Sequence, residues 1–410
     1  MRSLDIAWIA ASMIVLGVAL SVYADEVVVG KVTHIRSNVL NEERTLFISK
    51  PAGYEDGADR FPVLYLLDGE THFRYTSGIV EFLAANDRIP EMLVVAIASG
   101  SFAQRTRDLT PLSSAEIDNR FRPSNGGADA FLSFLAGELV PFVEKTYRTR
   151  PYRVLVGHSL GGLFAIHALA ANRKFFNAYV AIDPSLSWND GAVVAEAGSF
   201  FSRTKELQAH LYFTASNEGG KVPSGVRRLA AILDEKAPAG FRWNFEWMKQ
   251  ENHGSIPLPS IHKGLDTIFD GWHLTDPLEL FDKGGIEAIH RHFRDGGRRY
   301  GYDRTTSPFT VSMVVAGLMR MGRLEEASEV LLHDLKAYPP PWNQLDALAL
   351  RYSDRGNIEL ALHYYRLSLK ENPHNEWAKR KLQEMGAKVE DTAGNNLGKL
   401  GGRPETEAKD

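Results

Sequence analysis

The chain of 410 residues contains no cysteine, which excludes disulfides, metal–thiolate sites and a thiol nucleophile together. Its chemistry must be carried by oxygen and nitrogen side chains. An excess of one charge is also missing, since 47 basic residues face 51 acidic ones for a formal net charge of -4. No surplus of cations is available to neutralise a phosphate backbone, so nucleic acid is not an expected partner. Long hydrophobic runs are lacking too, apart from Ile6–Val22, which follows Arg2 and leads into Val22-Tyr23-Ala24. That arrangement reads as a signal peptide over residues 1–24 and an exported, periplasmic protein. The run is near the length of a weak membrane anchor, which keeps an uncleaved signal-anchor open as the alternative.

Strand-like pieces come first in what remains. "VVVGKVTHIRS" and "TLFISKP" alternate like an antiparallel pair, whereas "FPVLYLLDG", "MLVVAIAS", "RVLVGHS", "AYVAID", "LYFTASN" and "FRWNFEWMK" include continuous apolar runs that suit strands covered on both faces. Helical stretches such as "AFLSFLAGELVPFVEKTY" fall between them. The fold class is therefore α/β with a mostly parallel sheet, over residues 25–272. From residue 273 the pattern is helical, first as a connector over 273–305. Over 306–387 Ala327 and Ala361 lie 34 residues apart, as do Pro339 and Pro373, with Gly322 over Gly356. That period points to tetratricopeptide-like repeats, with two unrelated helical hairpins as the alternative. The polar, Gly-rich stretch 388–410 reads as a disordered tail.

The chemistry centres on Gly157-His158-Ser159-Leu160-Gly161, between the apolar run "RVLV" and the helical "LFAIHALAA". A strand–turn–helix setting is the condition for a nucleophile elbow: a strained serine, neighbours without Cβ atoms, and a helix N-terminus aimed at an oxyanion. Ser159 is the expected nucleophile. Its base must follow in the order Ser, acid, His, and His253 in "ENHGSIP", after the late strand and before a helix, is the candidate. Glu218, at the end of "LYFTASNEGG", is the expected acid, and Asp183 in Asp183-Pro184-Ser185 is its competitor, which also reads as a turn. The backbone N–H groups of Glu70, in "LYLLDGE", and of Leu160 are the expected oxyanion donors.

Taken together, "VLYLLDGE", "RTRDLTP", "VGHSLGGLFAIHAL", "AIDPSLSW" and "ENHGSIP" resemble the putative-esterase group of α/β-hydrolases over roughly residues 30–272. Esterase D, enterobactin-type siderophore esterases, feruloyl esterases and bacterial mycolyltransferases belong to that group. The resemblance implies the α/β-hydrolase fold and a serine esterase acting through a Ser-His-acid triad and an acyl-enzyme on a small-molecule ester, of siderophore type or with a small acyl group. It implies an oxyanion donor at the position of Glu70, an acid at that of Glu218 and a base at that of His253. Arg105 and Arg107 match a family signature near the pocket, where they would hold an anionic substrate or simply fix a loop. Trp188 would line the pocket or pack in the core. No metal or organic cofactor is called for. An acyltransferase using the same triad, and a binding or assembly protein whose helical repeats engage a protein partner, are the alternatives.

Overall fold

Eight strands form one sheet in the order β1-β2-β4-β3-β5-β6-β7-β8. In the computed structural model, which describes residues 26–171, 175–301, 303–334 and 342–387, these are β1 (Lys31–Ser37), β2 (Glu42–Ser49), β3 (Phe61–Leu66), β4 (Leu93–Ile97), β5 (Thr149–His158), β6 (Ala178–Ile182), β7 (His210–Ala215) and β8 (Arg242–Trp247). The expected signal peptide, the tail and Pro339 lie outside the described residues. β1 pairs antiparallel with β2, and β2 with β4. Every later pairing is parallel. The continuous apolar strands β3, β4, β6 and β7 are buried at every residue, as strands sandwiched between helices must be. β1 and β8, at the two edges, are only partly covered.

Helices α1 (Gly69–Ala85), α2 (Phe102–Leu109), α3 (Glu116–Phe121) and α4 (Ala128–Phe134) come next, and α4 continues through a π-turn into α5 (Val140–Thr146). Each of α6 (Leu160–Ala170), α7 (Ala192–Arg203), α8 (Ser224–Lys236) and α9 (Pro257–Ile268) follows one strand. One core, with Phe131, Leu163, Phe164 and Phe213, fills one face of the sheet. A second, with Val156, Val180, Ile261 and Leu265, fills the other. The loops that leave the carboxyl ends of β3, β5, β6, β7 and β8 gather along one rim, where ligands bind in open sheets of this kind.

Beyond α9 the chain is helical: α10 (Pro277–Arg299), α11 (Pro308–Arg320), α12 (Leu324–Asp334), α13 (Trp342–Asp354), α14 (Ile358–Glu371) and α15 (Glu376–Glu384) share a third core. The ends of α11 and α13 are built alike. Gly322 and Gly356 both have φ 77°, and the next residues, Arg323 and Asn357, donate N–H to Leu318 O and Tyr352 O, each at 2.9 Å. This left-handed termination needs glycine. Between α10 and α11 the chain returns to the sheet. Tyr300 packs among Tyr152, Phe269 and Trp272 and donates its hydroxyl to Asp270 O at 3.0 Å. Arg304 donates to Trp272 O and pairs with Asp87 at 2.8 Å.

Candidate active site

Ser159 sits between β5 and α6 with φ 61° and ψ −114°, a conformation that a residue with a side chain adopts only under constraint. The constraint is visible on both sides. Ser159 N donates to Ile182 O at 2.9 Å, and Ser159 O accepts from Leu163 N at 3.0 Å and Ser185 N at 3.1 Å. A Cβ on Gly157 would run into the carbonyl of Gly161, and one on Gly162 would stand 3.0 Å from Ile182 O and from Pro184. The elbow and the turn after β6 are thus pressed together, and Ser159 Oγ lies 3.3 Å from Ser185 Oγ.

His253 stands in the loop between β8 and α9. Asn252 shapes this loop by accepting at its side-chain oxygen from Gly254 N at 2.9 Å and Ser255 N at 3.1 Å. The imidazole is half exposed and its Nδ1 is 2.7 Å from Asp183 Oδ2. Asp183 is buried, with 4% of its surface exposed, and also accepts from Ser216 N at 3.0 Å and Ser216 Oγ at 2.5 Å. Burial alone would raise the Asp183 pKa. The hydrogen bonds from His253 and Ser216 outweigh it and hold the carboxyl below its ordinary range. The same bond lifts the His253 pKa against partial burial, with the charges of Asp183 and Glu218 adding to the lift.

Glu218, the acid that the sequence favours, does not hold His253: the carboxylate that accepts from His253 Nδ1 is that of its competitor, Asp183. Glu218 is exposed on a small bridge with Lys221. Its carboxylate nonetheless remains close, because one ligand atom each from Asp183, Glu218 and His253 fall within 4.8 Å of one another. This is the cluster with metal-ligand spacing among the described residues. Two of its three side chains are already joined by the 2.7 Å hydrogen bond.

Of the two readings of the arginines, the contacts favour the one in which they fix a loop. Arg105 gives its fork to Asp68, at 2.6 and 2.8 Å, and a further N–H to His158 O at 3.3 Å. Arg107 is taken up by Glu42 at 2.5 Å and Asp108 at 2.8 Å, carboxylates that Arg44 shares. Both brace the framework rather than present a free guanidinium to a ligand. Trp188 is a core residue, 4% exposed, whose indole N–H donates to Pro111 O at 3.0 Å. The two expected oxyanion donors lie in the first turns of helices, Glu70 as the second residue of α1 and Leu160 as the first of α6. There the backbone N–H groups have no partner within the helix. The Glu70 carboxylate is engaged elsewhere, accepting from Ser99 N at 3.0 Å.

Three neighbours carry no readable functional signal in the sequence. Ser216 donates to Asp183 and Ser185 faces Ser159, yet each reads as one more serine in a turn. His158 has its ring centroid 4.5 Å from that of His253 and 5.7 Å from that of His72. Burial first, then the neighbouring His253, pushes the His158 pKa down to about 4, so it is neutral at pH 7.

A mostly parallel sheet in this strand order, with a strained serine at the end of its fifth strand, is the frame of an α/β-hydrolase, and the chain is a carboxylic-ester hydrolase of the serine type. Residues 37–222 match the model of the family described as "Putative esterase". The ferri-bacillibactin esterase of Bacillus subtilis is 34% identical over 261 residues, 57% of this chain and 89% of that protein. The chain belongs to this esterase family. A siderophore enterobactin esterase of Emericella nidulans is 36% identical over 34% of this chain and 51% of its own length. Among solved structures, an IroE-like serine hydrolase from Shewanella oneidensis superposes with a TM-score of 0.62 at 26% identity, covering 73% of this chain and 97% of its own.

Proposed function

We propose that Ser159, His253 and Asp183 form a catalytic triad that hydrolyses siderophore-type esters through an acyl-enzyme. The bond between His253 Nδ1 and the buried Asp183 carries this reading. It fixes the tautomer with the proton on Nδ1, leaving Nε2 as the lone-pair nitrogen that can take a proton from serine. Ser159 Oγ attacks the ester carbonyl as its proton passes to Nε2, and the N–H groups of Glu70 and Leu160 receive the oxyanion. The imidazolium then protonates the leaving alcohol, and a water activated by His253 releases the acid. The relatives named for ferri-bacillibactin and enterobactin support the substrate class.

Intact-mass measurement after treatment with a fluorophosphonate tests the reading. One adduct is expected on the native chain and none on Ser159→Ala, whose ester turnover falls on the order of 10³-fold or more while the fold is kept. Near-native turnover in that variant would remove Ser159 from the mechanism. The substrate class is read by comparing a siderophore trilactone with short-acyl and feruloyl esters.

We also propose that residues 1–24 are an export signal and that the protein works in the periplasm; a mature chain starting at Asp25 in the same mass spectrum supports this, and retention of Met1 opposes it. Residues 306–387 are proposed as two tetratricopeptide-like repeats, on the 34-residue recurrence of Gly322 and Gly356 and their matching helix ends. The exposed Phe309, Met313 and Met321 on and beside α11 are where a protein partner would sit.

A further inference from the structure

The hydroxyl nearest the nucleophile belongs to Ser185, not to the triad, and its position is not accidental. Ser185 is the third residue of the Asp183-Pro184-Ser185 turn, whose first residue has φ 41°, again a strained value for a residue with a side chain. The turn is tied down throughout. Ser185 N donates to Ser159 O at 3.1 Å, Leu186 N to Pro184 O at 2.7 Å and Trp188 N to Ser185 O at 3.1 Å. Trp188 is in turn anchored in the core through Pro111 O. The backbone of Ser185 is thereby locked against the backbone of Ser159, and its Oγ is 3.3 Å from Ser159 Oγ. Among the described residues Ser159 Oγ makes no other hydrogen bond, to His253 or to any other group.

We propose that the Ser185 hydroxyl is a further catalytic group, which donates to Ser159 Oγ whenever that oxygen carries developing negative charge. The inference rests on Ser159 being the nucleophile. In the resting pair either hydroxyl can be the donor. Once the O–H bond of Ser159 breaks and its proton moves to His253 Nε2, only Ser185 still holds a proton to give. As the Ser159 lone pair forms the new C–O bond, the Ser185 hydroxyl keeps its own proton, so it acts as a hydrogen-bond donor and not as a general acid. The same contact is remade in deacylation, when the C–O bond to Ser159 breaks and Oγ again gathers charge before its proton returns from the imidazolium. A hydrogen bond to a charged acceptor is about twice as strong as one between neutral groups, so the contact favours the transition state over the resting enzyme.

The test uses the full mature chain with Ser185→Ala and Ser185→Thr, read by the second-order rate of fluorophosphonate labelling and by kcat and KM on a p-nitrophenyl ester. Ser185→Ala should lose about 10- to 100-fold in both the labelling rate and kcat, with KM and the acidic limb of the pH profile unchanged and the adduct still on Ser159. Ser185→Thr keeps a hydroxyl and should recover most of the loss. Labelling of Ser185→Ala at the native rate overturns the proposal, as does a loss that threonine fails to restore in a variant of native melting temperature. If the native chain itself takes no adduct, the triad reading fails first. An adduct that forms equally fast with and without the Ser185 hydroxyl sinks only the role of Ser185.

Discussion

Asp183 and Glu218 approach the same imidazole from the ends of neighbouring strands, and their surroundings give them different work. Asp183 is buried, accepts three hydrogen bonds and stays ionised because those bonds outweigh its desolvation. Glu218 is exposed and acts on His253 through charge alone. Asp183→Asn should therefore cost on the order of 10³-fold or more in kcat, because it disturbs both the tautomer and the stability of the imidazolium. Glu218→Gln should leave kcat at high pH near native. It removes an influence that raises the His253 pKa, and the base works only when neutral, so the acidic limb of kcat/KM should move to lower pH. That shift should shrink as salt screens the exposed charge. Pre-steady-state and pH-rate measurements on both variants decide the matter; the reverse ranking would return the acid to Glu218. At this scale Ser159 and His253 have local signatures in the sequence, a nucleophile elbow and a loop histidine after the last strand, and the structure brings the His253 ring beside His158, the neighbour of Ser159. The carboxylate partner of His253 has no such signature, since two carboxylates at strand ends look alike until their reach is known. Arg105 reads both ways for a related reason: a guanidinium fork fits a substrate carboxylate and the carboxylate of Asp68 equally well.

Among the elements, the buried strands were legible from their unbroken apolar runs, and the sheet edge from the alternation of "KVTHIRS". What composition could not show is how tightly β5, α6 and the turn after β6 are fitted, because that depends on which atoms stand opposite Gly157 and Gly162. The helical region shows the converse case. A recurrence read from the spacing of alanines and glycines corresponds in three dimensions to two left-handed helix ends with the same pair of main-chain bonds, from Gly322 and Arg323 and from Gly356 and Asn357. Ala327 and Ala361 are both fully buried, as close helix approach requires. If α11 carries a partner surface, Met313→Glu should abolish a cross-linked complex formed by the native chain in its own cell extract while leaving ester turnover unchanged. A complex that survives the substitution would place the partner elsewhere.

For the molecule as a whole, the decisive residue is Tyr300, which belongs by sequence to the helical region and by packing to the core under the sheet. It is 2% exposed and surrounded by three aromatic side chains. Tyr300→Ala should destabilise the chain by about 3–5 kcal/mol, the range for losing a large buried aromatic side chain, with kcat per folded molecule near native. Chemical denaturation followed by tryptophan emission would report it, and an unchanged midpoint would show that the two regions are stabilised separately. The polypeptide thus passes from the hydrolase to the helices near Leu274, comes back at Tyr300 and Arg304, and departs again at α11. A covalent cut between Leu274 and Pro277 would not divide the protein into its two regions. It would leave one fragment lacking the tyrosine and arginine that cover its base, and another carrying both as a ready-made plug, so that each half holds what would seal the other.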